Sequence, residues 1–463
     1  MFSKSGEATR PLIYKVEGNK NKKAEISEIS DRIVVPKRFK NTWITITLIN
    51  LFIVAVLGVL LRSKILFSIP GVDFKFILHA HSHFAFGGWI TLCLFTLMTY
   101  EILPANYSSK PKYQYLLSGI LASSAGMLFS FPFQGYAFFS IMFSTLFVFV
   151  TYAYSWVFIK DLLKSKTEKT VSLLCIVSLI ALTLSSIGPF TLAYMMASHS
   201  LNTFLYKDAI YTYLHLQYNG FFTLGVFSLF VNQFNSRFND LAKRNVKRFA
   251  VILSLSVLPT LFLSYLWHFQ NIAVRSVAVI GCVLLAGGLH RFIIMMRSIS
   301  HYLKSISPFA KAVGLLSMIA FAIKTTVQIG IVFPSVGNEI FGDRPIIIGY
   351  LHLVMLGFVT LYLLAHFVHV KYFEINKNLS KTGIIIFICA VIGNELILMT
   401  QGLSAMMMSG STLYPWLLWA AAIGLFIGAL LISLSAIGHL KPKAAFSNTF
   451  SSNNSINFQN HKH

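Results

Sequence analysis

Histidine is the residue type in this chain that asks for a chemical explanation. The stretch His79-Ala-His81-Ser-His83-Phe-Ala-Phe-Gly-Gly88-Trp89 sets three imidazoles at alternate positions at the mouth of a long apolar segment. Two later segments echo it. His83 is followed five residues on by Gly88 and then Trp89, His215 by Gly220 and Phe221, and His352 by Gly357 and Phe358. Neutral imidazole is a common ligand of metal ions and of haem iron, and two imidazoles on facing helices could clamp an iron from both sides. A glycine five residues on would let a flat macrocycle or another helix approach the backbone closely. On a helix, His79 and His83 share a face while His81 points nearly opposite, so the three cannot serve one metal. The competing reading makes each histidine a hydrogen-bonding residue between helices; for His79 and His81, near the end of the segment, the two readings stand level.

The composition defines the medium in which such side chains must be held. Of 463 residues, 56% are hydrophobic and 11% charged, which excludes a soluble globular fold. A helix needs about 20 apolar residues to cross the hydrocarbon core of a bilayer. Twelve stretches qualify: 42–62, 77–103, 114–134, 136–159, 171–194, 211–233, 249–268, 272–294, 310–333, 346–368, 382–402 and 414–437. The expected fold is an all-α integral membrane domain over residues 42–440, with a basic arm (1–41) and a polar tail (441–463) expected to be disordered.

The net charge of +23 follows membrane topology and gives no reason to expect nucleic acid. Of 38 Lys and Arg, 31 lie in the termini and beside the loops that follow even-numbered spans. The positive-inside rule then places both termini in the cytoplasm. The four cysteines stand singly in apolar spans, so neither a disulfide nor a zinc site is expected. The arm holds ten Lys or Arg and no apolar run, so the first span is expected to act as its own insertion signal.

The echoed histidines are 132 and 137 residues apart, four spans each time, so the chain reads as three four-helix units. His83, His215 and His352 then share a layer roughly 6 to 9 Å below the outer surface, at 1.5 Å of rise per residue. His268, at the end of span seven, is expected at a similar level. Lys324 and Glu395 lie deeper and at matched depth, where an unpaired charge is costly, so they are expected to pair or one to be neutral. They could begin a proton path through Thr325, Gln328, Asn394 and Gln401, or form a buried ion pair that fixes helix packing. Arg275 and Arg344, near the outer surface, could meet acidic groups of a cofactor or do nothing specific. His199, His290, His366, His369 and His439 are read as solvated or as part of the inside charge, without a site role.

With these residues in view, the chain resembles subunit I of the haem–copper oxidase superfamily, which includes cytochrome oxidases and nitric oxide reductases. The resemblance covers residues 42–440 in architecture and implies twelve transmembrane helices as three four-helix arcs with pseudo-threefold arrangement. It implies haem, with His83 or His81 on helix two and His352 on helix ten as the low-spin pair, and His79 at its rim. It implies that His215 and His268 are remnants or variants of a second-metal set, copper in the family. Three positions depart from the pattern: Trp267-His268-Phe269 stands where the family carries adjacent histidines, Tyr350 where helix ten usually has its first histidine, and Asn219 where helix six of many oxidases has tyrosine. Tyr350 is either an iron ligand or an interfacial aromatic. The function implied is electron transfer to a diatomic such as oxygen or nitric oxide, fed by a donor protein or quinone, with accessory subunits, in a bacterial inner membrane. Alternatives are a non-catalytic haem sensor, carrier or assembly protein of the same fold, and a proton-coupled transporter.

Overall fold

A computed structural model describes residues 18–438 except 270, 342 and 374–376, with side chains from 37 on apart from those of 338–340. Among the described residues there is no strand. The long helices are α1 (Gly18–Leu66), α2 (Phe74–Ile102), α3 (Pro111–Gln134), α4 (Phe138–Lys164), α5 (Lys169–Ala197), α6 (203–234), α7 (Asp240–Tyr265), α8 (Ile272–Ile299), α9 (Pro308–Gly330), α10 (Arg344–His369), α11 (Lys377–Met406) and α12 (Leu413–Ile437). Eleven of them are long and apolar enough to cross a membrane, α1 through Lys37–Leu66; α6 is the one that is not. Its length suffices, but His215, Gln217 and Asn219 break its apolar run. Within the basic arm, the described backbone is helical from Gly18. Residues 1–17 and the tail 441–463 lie outside the described residues.

Short polar side chains set the helix starts. Asp73, Asn202, Asn239, Asn271, Ser307 and Asp343 each accept a backbone N–H of the first turn of α2, α6, α7, α8, α9 and α10, replacing the intrahelical partner that those donors lack. Helix α3 ends at Gly135, whose φ of 58° suits glycine and whose Cβ would stand 2.3 Å from the Phe76 ring. That turn brings Tyr136 back over α2.

Successive helices pack against one another, and α12 packs back on α1. Helices α2, α6 and α10 also meet at the centre, where α2 and α6 touch, α6 and α10 touch, and Trp89 Nε1 donates to Thr360 Oγ1 at 3.1 Å between α2 and α10. Burial follows: 78% of the most apolar stretch of α2 is covered by protein, against 22% for the peripheral α4, whose face is left for lipid.

The internal repeat takes a physical form. Each central helix widens into a π turn just after its histidine, at Ala85–Thr91, Leu216–Phe222 and Leu353–Thr360. A π turn disturbs the helical hydrogen-bond ladder, and in each a carbonyl is met by a side chain from the first helix of its unit. Asn50 Nδ2 of α1 donates to Gly88 O at 2.6 Å, Ser178 Oγ of α5 to Phe221 O at 2.9 Å, and Ser317 Oγ of α9 to Phe358 O at 2.7 Å. Two of the three repeated glycines serve helix packing, while Gly88 makes room for the Phe84 ring of its own helix. A Cβ at Gly220 would come within 2.4 Å of Ala181 Cβ on α5, and one at Gly357 within 3.3 Å of Ala320 Cβ on α9.

Candidate functional site

Helical phase divides the three histidines of α2 as their spacing requires. His79 and His83 face the α3–α4 turn. The His83 ring stacks on Phe131 at 4.7 Å and its Nε2 is bonded to Tyr136 Oη at 3.0 Å, while His79 lies edge to face with Tyr136 at 4.6 Å. His81 faces the other way, toward α1, and its Nδ1 is bonded to Val54 O at 3.1 Å. Gly58 lets the ring sit there, because a Cβ at that position would already be 3.5 Å from His81 Cε1.

His352 occupies the facing position on α10. Its Nδ1 is bonded to Ile348 O at 2.8 Å, one turn back on its own helix. His81, His352 and the Arg62 guanidinium at the end of α1 lie within electrostatic reach of one another. With Nδ1 committed in both rings, each carries its proton there and leaves the Nε2 lone pair free, which is the state that ligates iron. The repeat singled out His83 as the partner of His352. It is His81 that lies within electrostatic reach of His352, while His83 and His79 pack against Phe131 and Tyr136. Arg275 and Arg344 are exposed on the first turns of α8 and α10; the cation that reaches the pair is Arg62.

The second group expected to bind metal is organised differently. His215 is buried and both its nitrogens are engaged, Nε2 with Val257 O at 2.9 Å and Nδ1 with Asn219 Nδ2 at 3.2 Å. Asn219 Oδ1 in turn accepts from Lys324 Nζ at 2.7 Å. His268 falls beyond the end of α7 and pairs through Nε2 with Asp208 Oδ2 at 3.2 Å, its ring against Phe204. Asp208 is two turns before His215 on α6, about 10 Å of rise, so His215 and His268 do not converge on a shared ligand position. No group of three or more His, Cys, Asp or Glu side chains placed to hold a metal occurs among the described residues.

Lys324 and Glu395 do not pair. Lys324 binds Asn219, and the Glu395 carboxylate accepts from its neighbour Asn394 at 3.1 Å. Of the two expectations, a pair or a neutral partner, the first is not met: each residue makes a separate amide contact, and Asn219 reaches Lys324 from α6. Tyr350 joins the Lys324 group, donating to Gln328 Oε1 at 3.4 Å with its ring edge on Tyr218. Its hydroxyl belongs to that network.

One constellation went unmarked in the sequence. His366, assigned no site role, is buried with Nε2 at 2.9 Å from Glu101 Oε2 and Nδ1 at 3.3 Å from Gln233 Oε1, and Lys40 Nζ meets the other Glu101 oxygen at 3.3 Å. Its signal was a lone glutamate, Glu101, at the end of an apolar span with a histidine at the corresponding end of α10. Compared with known proteins, the sequence matches no family model and no curated protein.

Proposed function

We propose that the chain is a haem-binding membrane redox protein built on the plan of oxidase subunit I, with twelve transmembrane helices in three four-helix arcs of pseudo-threefold arrangement, α6 being the twelfth. Both termini are cytoplasmic, and the membrane is a bacterial inner membrane. The observation that carries the reading is the His81 and His352 pair, two imidazoles on separate helices with Nδ1 anchored and Nε2 free beside Arg62. These residues fit haem: the two Nε2 atoms would hold the iron, and Arg62 would face a propionate through a charge-assisted bond. When bound, the haem supplies one-electron transfer. The protein's part is to fix both imidazole tautomers, set the local charge through Arg62 and exclude water. Electrons would come from a donor protein or a quinone, and accessory subunits would complete the assembly.

Of the two haem readings, a carrier or sensor fits better than reduction of oxygen or nitric oxide. His215 spends both nitrogens on Val257 and Asn219, and His268 is drawn off to Asp208. The transporter reading leaned on a Lys324 and Glu395 pair, and each of those residues has another partner. The test is a pigment and metal analysis of protein purified after expression with adequate haem. One low-spin haem per chain without copper, and without oxygen or nitric oxide turnover, is the expected result. A protein without a Soret band sinks the proposal.

A further inference from the structure

Cations on the basic side of the bundle fall into two kinds. Lys40 meets the Glu101 carboxylate at 3.3 Å, and Lys110 and Lys112 meet Asp161. Lys243, Arg244, Lys247 and Arg248, in the first turns of α7, are exposed, and none of them forms an ion pair among the described residues. Asp240 is the only carboxylate in residues 235–311, against ten Lys and Arg, so the neighbouring chain offers nothing to neutralise the four. Topology asks only that cations lie on this side of the membrane. It does not ask that four share one helix face without a counter-charge.

Helical phase gathers these side chains. At about 100° per residue they fall within roughly 140° of arc, opposite Ala242, Asn245, Val246, Phe249 and Ala250, which are buried in the bundle. On that inner side Asn245 Nδ2 donates to Ser298 Oγ of α8 at 2.6 Å, which fixes the rotation of α7. The outer face continues with Leu255 and Leu258, 59% and 52% exposed. From Arg248 to Leu258 the helix rises about 15 Å, half of a hydrocarbon core about 30 Å thick. One strip of α7 thus presents four cations and then an apolar stretch one leaflet deep. We propose that this strip binds an anionic phospholipid, its phosphate and headgroup on Lys243, Arg244, Lys247 and Arg248 and its acyl chains along Leu255 and Leu258. A soluble acidic partner would match the cations and leave the leucines uncovered, and a zwitterionic lipid would bring a cation of its own to the four. The site is independent of haem.

The test uses the full chain in neutral detergent, titrated with dioleoyl phosphatidylglycerol and dioleoyl phosphatidylcholine, with bound lipid counted by native mass spectrometry. Each surface Lys or Arg is worth a factor of about five toward anionic lipid, so the anionic lipid is expected to bind at least about tenfold more tightly than the zwitterionic one. Lys243→Gln, Arg244→Gln, Lys247→Gln and Arg248→Gln combined should remove that preference, and Lys247→Gln with Arg248→Gln should reduce it. Lys160→Gln, Lys164→Gln, Lys166→Gln and Lys169→Gln combined remove the same charge from exposed positions that share their segment with Asp161 and Glu168, and should keep it. No preference in the wild-type chain, or an equal loss in the two fourfold variants, would overturn the assignment. Displacement of the lipid by an equal concentration of inorganic phosphate, or of a polyglutamate peptide, would overturn it too, giving the face to a free anion or to an acidic partner.

Discussion

His81 and His352 commit Nδ1 in the same way, to Val54 O at 3.1 Å and Ile348 O at 2.8 Å, although one acceptor lies on a neighbouring helix and the other on the same helix. The shared outcome is a pair of imidazoles whose Nε2 atoms are left without a hydrogen bond. His81→Ala and His352→Ala are therefore each expected to remove the low-spin haem spectrum. His83→Ala, which loses only Tyr136 and Phe131, should keep it. Absorbance of the three purified variants decides, and a spectrum lost in His83→Ala but kept in His81→Ala would restore the partner that the repeat suggested.

Arg62 places a positive charge beside that pair. Removing it favours the ferric state, so Arg62→Gln should lower the haem midpoint potential, by on the order of 100 mV for a charge several ångströms away at an effective dielectric of about 20. Arg275→Gln, on an exposed first turn, should leave the potential unchanged. Redox titration of both variants reads the difference.

Asn219 holds two buried groups at once, Lys324 Nζ at 2.7 Å and His215 Nδ1 at 3.2 Å. Asn219→Leu strands the amine and should cost about 2 to 3 kcal/mol. Adding Lys324→Met removes the stranded group and should recover part of that loss. Unfolding in mixed micelles, run as a double-mutant cycle, would show additive losses if the contact carried no coupling.

The three donors that meet the π turns should behave alike. Ser178→Ala and Ser317→Ala are each expected to cost about 1 kcal/mol, and Asn50→Ala a similar amount, as ordinary buried hydrogen bonds do. They lie on different helices, so the costs should add. A triple variant as stable as the wild type would show that the carbonyls find other partners.

Much of the architecture was legible because it rests on length and hydropathy. The spans, the histidine repeat and the split of His79 and His83 from His81 all follow from periodicities of one helix. Partner choice was not legible, since it depends on which helices meet. His83 and His81 differ by two residues, and only the place of α1 beside α2 shows that Val54, Gly58 and Arg62 belong with His81. Lys324 and Glu395 matched in depth, but depth says nothing of azimuth, and Asn219 was nearer. His366 was read as part of the inside charge because its closeness to Glu101 comes from the packing of α2 against α6 and α10.

The π turns also bear on how such a helix can be read. A turn with an extra residue rotates everything after it by about 100° relative to an ideal α-helix. A face drawn from the sequence through His83 or His352 is therefore out of phase once it passes Gly88 or Gly357. Trp89 and Thr360, which join α2 to α10 at 3.1 Å, both stand in the second half of such a turn. The contact that closes the centre of the bundle is thus set by paired phase shifts in two helices. Losing one residue from either turn would turn its partner away from the axis while leaving the hydropathy of the span untouched.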